Sequence, residues 1–254
     1  MKKKIISFSL WGKIRLYTIG AIKNALLAEK IFPGWICRFY YDNSVPQIVV
    51  DYLKSLDNVE MFFIEKPSGG KVYKDNGQFG MFWRFFPFND DDVEVWMARD
   101  IDSRLSQYEF VEINKFLQSD KTLHSFRKET EPMCRGCGTS FRNFVNGKDT
   151  RIVDDKKLNI FEMISNVDRD TCPFYTDEHF LNNTLYPLYS KSYVRAPRIY
   201  NIKQPEYCGP YVGAVVDEYD NCIDKNKTNE FNNLCHYEDL EFLLNSFKLR
   251  IESV

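Results

Sequence analysis

Apolar strands alternate with amphipathic helices across the first quarter of the chain, and this alternation constrains the fold most. Segments 5–10, 35–41 and 59–64 are short and rich in β-branched or aromatic residues, which is typical of buried strands. Segments 17–32 and 46–56 repeat apolar residues at the spacing of a helix face. A β-α-β-α-β order needs crossover connections, so it predicts an α/β fold with a mostly parallel, twisted central sheet flanked by helices.

Capping residues predict where the helices begin and end. Pro33-Gly34 ends the first helix, and Ser44 is a suitable N-cap for the second, with Pro46 in its first turn. Further along the chain, the pattern predicts strands over 122–127 and 192–196, and helices over 108–117, 156–167, 176–187 and 237–249. Pro187 is expected to end the helix that begins near Thr176.

A strand from Val93 runs into the acidic sequence Asp100-Ile101-Asp102. If the strand continues through these residues, both carboxylates point to one face and Ile101 points back to the core. Two neighbouring carboxylates repel each other unless a cation lies beside them, and oxygen ligands suit Mn²⁺ or Mg²⁺. The alternative is an acidic turn in solvent, because Asp-x-Asp is a common sequence.

Arg84 stands inside the aromatic run Phe79 to Phe88. An arginine in such apolar surroundings requires an anionic partner, and two partners are open: Asp100 or the phosphate of a ligand. For the aromatic residues themselves, the simplest interpretation is a buried helix that feeds the acidic strand.

Composition excludes several classes of protein. The chain has 254 residues, 44% of them hydrophobic, and a net charge of −2, so no global basic field favours nucleic acid. No apolar run is long enough to span a membrane, and the lysine-rich start lacks a signal-peptide cleavage site. Seven scattered cysteines then predict reduced thiols and a cytoplasmic protein. Cys134-x-x-Cys137 has no second pair with zinc-ligand spacing, and the glycines Gly136 and Gly138 more plausibly let the backbone approach a ligand.

With these residues in place, the chain resembles glycosyltransferases of the GT-A fold, and most of all the small sugar-nucleotide transferases of large DNA viruses and some bacteria. The resemblance rests on Phe82-Trp83-Arg84-Phe85, on Arg99 to Arg104, and on a His-x-x-Arg sequence at His124 and Arg127. It implies one glycosyltransferase domain over 1–254, with a nucleotide-binding half at 1–104 and an acceptor-side half at 105–254. A viral member would act in the host cytoplasm.

The chain is similar, more distantly, to the glycogenin-like family 8 transferases. Tyr17-Thr-Ile-Gly20-Ala21 matches the helix whose tyrosine lies against uracil, and Asp177-Glu178 begins a match to their Asp-Gln-x-x-Leu-Asn motif near the sugar. Glutamate replaces the usual glutamine at Glu178, and no third metal ligand is recognisable. This likeness slightly favours retention over inversion at the sugar.

The resemblance implies a metal-dependent transfer of sugar from a nucleoside diphosphate sugar, with UDP the favoured nucleotide, to a glycan or glycoprotein hydroxyl. Asp100 and Asp102 would bind Mn²⁺ or Mg²⁺, and Asp177 or Glu178 would serve catalysis at the sugar. The implied donor-binding residues are Ser9, Leu10, Tyr17, Arg84, Arg99, Asp100, Ile101 and Asp102. The implied acceptor-side residues are His124, Arg127, Gly136 and Gly138.

Two other functions remain open from the sequence. A nucleotide-sugar hydrolase or nucleotidyltransferase has a similar sheet, although Leu10 to Leu16 has fewer glycines than the loop of a nucleotidyltransferase. A non-catalytic carbohydrate-binding module would use the aromatic residues as a sugar platform and would need no metal. His124 also has a simpler interpretation, a histidine buried in the core.

Overall fold

The computed structural model is organised around one seven-stranded sheet. It describes residues 2–65, 79–127, 138–167, 176–197, 202–203, 208–209, 215–217 and 219–221. The predicted helix over 237–249, Gly136 and the Cys134-x-x-Cys137 pair lie outside these residues. Within the described residues, no helix is long and apolar enough to cross a membrane.

The first half of the chain supplies most of the sheet. Its strands are β1 (Lys3–Leu10), β2 (Ile36–Tyr41), β3 (Val59–Phe63) and β4 (Val93–Ala98), and its helices are α1 (Arg15–Ile31) and α2 (Gln47–Lys54). Then follow α3 (Gln107–Gln118), β5 (Leu123–Arg127) and β6 (Thr139–Arg142), while β11 (Tyr193–Pro197) closes the far edge. The order is β11-β5-β6-β4-β1-β2-β3, and β6 alone of the seven runs antiparallel to its neighbours. The predicted α/β class with a mostly parallel, helix-flanked sheet is confirmed.

One face of the sheet packs against the three long helices. Ile19, Ile22 and Ala25 of α1 are buried at helical spacing against the strand residues Phe8 and Phe39. Helix α1 ends where Pro33-Gly34 was predicted to end it, since Gly34 adopts a φ of +80°.

The other face packs against a 3-10 helix, Phe79–Asn89. Phe82, Phe85 and Phe88 recur every third residue and are all buried, which matches the period of three residues per turn in this type of helix. Their rings pack on Trp96 of β4 and on Phe141 of β6. This arrangement places Arg84, which lies between them in sequence, at the carboxyl ends of β1 and β4.

Two small hairpins follow β6 and were not predicted. The first joins β7 (Phe144–Val145) to β8 (Lys148–Asp149), and the second joins β9 (Ile152–Val153) to β10 (Lys156–Lys157). Both central residues of each turn have positive φ, at Asn146-Gly147 and at Asp154-Asp155, as primed hairpin turns require. The helix predicted over 156–167 is therefore shorter, because β10 takes its start and α4 covers only Ile160–Ser165.

Two further boundary predictions are wrong. Ser44 does not cap α2: its hydroxyl donates to Asp42 and accepts from the Gly12 N–H at 2.6 Å, and the N-cap position is Pro46. The second wrong boundary is at Pro187, which does not end its helix. The chain continues from α5 (Thr176–Phe180) through a π turn (Leu181–Leu185) into α6 (Tyr186–Tyr189), and the π turn accommodates a residue without an N–H donor. A short 3-10 turn (Ser190–Ser192) leads to β11, and two short strands, β12 (Ile202–Lys203) and β13 (Cys208–Gly209), pair with each other.

Candidate active site

A cavity of about 260 Å³ opens at the carboxyl ends of β1 and β4. The chain passes from β1 to β2 on one side and later returns to β4 on the other, so the cavity lies where the strand order reverses. Open α/β sheets bind their ligands at such a point. The cavity is lined by Ser9, Trp11, Tyr17, Met81, Arg84, Arg99, Asp100, Ile101 and Asp102.

Asp100 and Asp102 lie in a turn and not on the strand. Strand β4 ends at Ala98, and Arg99 makes the last bond to β1, from its N–H to the Ser7 carbonyl at 3.1 Å. Strand alternation is therefore the wrong reason for the placement of the two carboxylates. Both aspartates nevertheless line the cavity, and Ile101, which is buried in the core, contributes to the lining between them.

The surroundings of Asp102 favour its protonated form. Burial and the neighbouring Asp100 raise the pKa of Asp102 to about 7, although Arg84 and Arg104 attract the carboxylate and act to lower it. Burial, followed by the charges of Asp102 and Asp100, also raises the pKa of Tyr17 to about 12. Tyr17 therefore stays neutral near pH 7, while a bound cation would favour the ionised form of Asp102.

Arg84 links two acidic residues that are distant in sequence. Its guanidinium donates to Asp100 through Nη1 and to Asp177 through Nη2, and its backbone N–H donates to Ser9 Oγ at 3.0 Å. The two carboxylates raise the pKa of Arg84 further above its ordinary value, against the opposing effect of burial. Of the two partners left open for Arg84, the structure therefore contains Asp100, and it adds Asp177.

Among the described residues, the acidic side chains near the cavity outnumber the basic ones that bond them. The guanidinium of Arg84 bonds Asp100 and Asp177, whereas Asp102 is affected by Arg84 and Arg104 through their charges. Mg²⁺ and Mn²⁺ are commonly held by one or two carboxylates together with substrate phosphates, so Asp100 and Asp102 suit such an ion. The described residues contain no group of three or more His, Cys, Asp or Glu side chains that holds a metal by itself. The cavity therefore fits a cation that arrives with a phosphate ligand.

Arg99 lines the cavity, but its guanidinium is directed away into the protein. It donates from Nε to Glu109 Oε1 at 2.8 Å and from Nη1 to the Ala98 carbonyl at 2.8 Å. Glu109 in turn belongs to the N-terminus of α3, where Ser106 accepts from the Glu109 N–H at 3.2 Å. Arg99 thus ties the acidic turn to α3, and its predicted role in donor binding stays a prediction.

Aromatic residues also line the cavity, among them Trp11 and Tyr17. Trp11 directly follows the last residue of β1 and packs edge-on against Trp83, with ring centroids 5.9 Å apart. A Cβ atom at Gly80 would lie 2.8 Å from the Trp11 ring, so this glycine allows the indole its position. Neither Trp11 nor Met81 was predicted for the site, although the place of Trp11 at the carboxyl end of a central strand was a usable signal.

Three residues predicted for the donor or the sugar, Leu10, Asp177 and Glu178, are not among those that line the cavity. Leu10 is fully buried in the core beneath the cavity. Glu178 is half-buried, and its backbone carbonyl accepts from Asn182 Nδ2 at 2.7 Å. Of the acidic pair on α5, Asp177 is therefore the member that reaches the cavity's arginine.

Of the predicted acceptor-side residues, the structure describes His124, Arg127 and Gly138, and none of these three lines the cavity. His124 is buried on β5 between Phe116 and Phe126, at ring-centroid distances of 5.2 and 4.7 Å. Burial and Arg99 lower its pKa to about 3, and neither ring nitrogen has a partner among the described residues. Arg127 is the last residue of β5 and is largely buried, while Gly138 packs on that strand, its carbonyl accepting from the Phe126 N–H at 3.0 Å.

No protein-family model matches the chain, and no curated protein matches it in sequence. Among solved structures, it is similar to the glycosyltransferase GlyE of Streptococcus pneumoniae at 12% identity and a TM-score of 0.45, over 77% of this chain and 45% of that one. The 4-diphosphocytidyl-2C-methyl-D-erythritol synthase of Anaerococcus prevotii aligns at 9% identity and a TM-score of 0.47, over 77% and 86%. A glycosyltransferase involved in the glycosylation of the major capsid of PBCV-1 aligns at 15% identity and a TM-score of 0.41, over 78% and 82%. At this distance the likenesses assign no activity to the chain.

Proposed function

We propose that the chain is a metal-dependent glycosyltransferase that uses a nucleoside diphosphate sugar, with UDP as the favoured nucleotide. One observation carries the proposal: at the switch point of the sheet, one cavity is lined by the carboxylates of Asp100 and Asp102, by Arg84, and by the aromatic residues Trp11 and Tyr17. A nucleoside diphosphate has the complementary parts, since its base stacks on aromatic rings and its phosphates bind cations.

Each part of the cavity has a role in this proposal. Trp11 and Tyr17 hold the base, and Asp100 and Asp102 hold Mn²⁺ or Mg²⁺. The ion, when bound, neutralises the charge that develops on the departing diphosphate. Arg84 adds a second positive charge next to the diphosphate and keeps Asp100 in place.

Asp177 is the residue best placed to act on the sugar. Asp177 is buried, does not itself line the cavity, and is bonded to Arg84, the lining residue that also bonds Asp100. A fixed negative charge there stabilises the positive charge that the sugar ring gains as its bond to the diphosphate breaks. The acceptor is the hydroxyl of a glycan or glycoprotein.

Calorimetric titration with UDP, GDP, UDP-glucose and GDP-mannose, in Mn²⁺ and in EDTA, tests the proposal. We expect one nucleotide to bind in Mn²⁺ and to lose most of its affinity in EDTA. Asp102→Asn removes one ionic ligand of nearly unchanged size and should abolish this binding. Asp51→Asn is the matched control, because Asp51 lies exposed on α2 and contacts only the neighbouring turn.

The alternatives give different results in the same experiments. Saccharide binding that is indifferent to EDTA, with no nucleotide bound, would indicate a carbohydrate-binding module. Release of pyrophosphate from a nucleoside triphosphate and a sugar phosphate would indicate a nucleotidyltransferase. A glycosyltransferase instead releases the nucleoside diphosphate from the sugar nucleotide.

A further inference from the structure

Helix α1 carries one fully buried amide side chain, that of Asn24. The residues around it on the buried face of the helix are apolar or small, so an unpaired amide there would cost stability. Every polar atom of Asn24 is satisfied instead. Its Nδ2 donates to the carbonyls of Ile101 at 3.1 Å and Ser103 at 2.8 Å, and its Oδ1 accepts from the Leu105 N–H at 3.2 Å.

All three bonds go to the backbone of the turn that carries Asp100 and Asp102. The Ile101 carbonyl belongs to the peptide that joins Ile101 to Asp102, so Asn24 fixes the plane of the bond immediately before Asp102. Arg104 donates to the same two carbonyls from Nη1, at 3.2 Å each, and so supports the arrangement from the turn itself.

Gly20 lies one helical turn before Asn24 on the same face of α1. A Cβ atom at this position would lie 2.5 Å from the Ile101 carbonyl oxygen, which no packed structure tolerates. The acidic turn therefore rests directly on the helix backbone. Gly20 permits this approach, and Asn24 fixes the register of the turn along the helix.

We propose that Asn24 is a positioning residue for the metal-binding carboxylates, which it holds toward the cavity by bonding the peptide backbone on both sides of Asp102. The effect of Asn24 on metal binding rests on the proposed function, but its effect on the position of the acidic turn is testable without any ligand. Val216 provides the readout, because its N–H donates to the Asp102 carbonyl at 2.8 Å.

Asn24→Asp is the informative variant. It keeps the size of the side chain and an acceptor for the Leu105 N–H, but it removes both donors and sets a carboxylate against two carbonyl oxygens. Asn58→Asp is the matched control, since the Asn58 amide also donates to a backbone carbonyl near α1, that of Ala25 at 2.8 Å, away from the acidic turn.

Amide hydrogen exchange on the ligand-free protein is the first measurement. The readout is the ratio of the exchange rate of the Val216 backbone N–H to that of the Asn143 backbone N–H, which donates to the Glu94 carbonyl far from α1. We expect this ratio to rise at least about tenfold in Asn24→Asp. Asn58→Asp should leave this ratio unchanged. An unchanged ratio in Asn24→Asp would overturn the proposal. If Asn24→Asp does not fold, Asn24→Ser, which keeps a single small donor, is judged by the same ratio.

The second measurement is the Mn²⁺-dependent affinity for the nucleotide that the wild-type protein binds. We expect a loss of at least about tenfold in Asn24→Asp and less than about threefold in Asn58→Asp. Equal losses in the two variants would show that Asn24 acts only on stability. If the wild-type protein binds no nucleotide, the proposed function fails, while the exchange ratio at Val216 still decides whether Asn24 positions the turn.

Discussion

Arg84 is the side chain on which the charge arrangement of the cavity depends. It is buried, and its two ion pairs come from Asp100 after β4 and Asp177 on α5. Arg84→Lys keeps the charge, but one ammonium group cannot bond two carboxylates with the fork geometry of a guanidinium. We expect this variant to lose about 3 kcal/mol or more in the free energy of unfolding, measured by urea denaturation, because a buried carboxylate loses its partner. Mn²⁺-dependent nucleotide affinity should fall at least about tenfold.

Arg151 provides the control for that prediction. It is also buried and also bonds two carboxylates, of Asp149 and Asp91, but it lies among the hairpins beyond β6. Arg151→Lys should destabilise the protein without changing nucleotide affinity. If both variants weaken binding equally, the effect of Arg84 is one of stability, and its role at the diphosphate is wrong.

His124 makes the stability of the protein sensitive to acid. Burial lowers its folded-state pKa from 6.5 to about 3, so below pH 6.5 the unfolded chain takes up a proton that the folded protein does not. Its contribution to stability is complete above pH 6.5 and is lost as the pH falls toward 3. This amounts to about 2 kcal/mol between pH 7 and pH 5.

His124→Phe should remove this pH dependence. Between pH 7 and pH 5, the fall in the free energy of unfolding, measured by urea denaturation, should be smaller by about 2 kcal/mol in the variant than in the wild type. At pH 7 the free energy of unfolding itself should change little, because the imidazole nitrogens have no partner among the described residues to lose. His179→Gln, at an exposed position on α5, should retain the wild-type pH dependence. Equal losses in wild type and His124→Phe would contradict the prediction.

At the scale of elements, α3 connects the core to the acidic turn through its first residues. Ser106 caps the helix by accepting from the Glu109 N–H at 3.2 Å, and the Glu109 carboxylate pairs with Arg99. We expect Ser106→Ala to lower the free energy of unfolding by about 1 kcal/mol, the usual cost of a lost N-cap. Ser165→Ala, at the exposed end of α4, should change it by less than about 0.5 kcal/mol. An equal effect of the two substitutions would mean that the cap does not stabilise α3.

An element could be predicted from the sequence when its own residues determine where it begins and ends. Strands β1 to β4 follow from their own apolar runs, and the end of α1 follows from Gly34. The sequence predicts strand at Asp100 because it does not show where pairing with β1 stops. The Asn-Gly pair at Asn146-Gly147 is a local signal for the hairpin turn that the structure contains there.

The site divides in the same way. Asp100, Asp102, Tyr17 and Ser9 could be predicted to lie together because they lie at or after strand ends or in the first helix, and all four line the cavity at the switch point. Their roles in donor binding stay predictions. The pairing of Arg84 with Asp177 spans 93 residues, and no spacing rule connects them. The contact of Asn24 with the acidic turn could not be predicted, because a single polar residue in an amphipathic helix does not indicate which backbone groups it bonds.

At the scale of the molecule, charge is arranged differently at the two ends of the sheet. Near the amino ends of the strands, Arg38 bonds Glu60 and Asp90, and Arg151 bonds Asp149 and Asp91, so buried arginines have their acidic partners within hydrogen-bond distance. At the carboxyl ends, within the part of the chain that the structure describes, Arg84 is the arginine that bonds Asp100 and Asp177, while Asp102 lies beside them without an ion pair. Among these residues, the negative charge that is not paired is therefore found at Asp102, where the cavity opens.

This imbalance predicts that nucleotide and metal bind cooperatively. A diphosphate that enters alone meets Asp100 and Asp102 as like charges, and a cation that enters alone lacks the phosphate oxygens that complete its coordination. We expect UDP affinity, measured by calorimetry, to rise at least about tenfold, or about 1.4 kcal/mol, when Mn²⁺ is saturating. Because coupling between two ligands is reciprocal, saturating UDP should raise Mn²⁺ affinity by the same factor. Two controls test whether the coupling comes from a bound metal ion. The coupling should disappear in Asp102→Asn, and sodium chloride at equal ionic strength should not replace Mn²⁺, since screening does not supply a ligand. UDP affinity that is independent of Mn²⁺ would show that the two aspartates hold no metal and that Arg84 alone compensates the diphosphate.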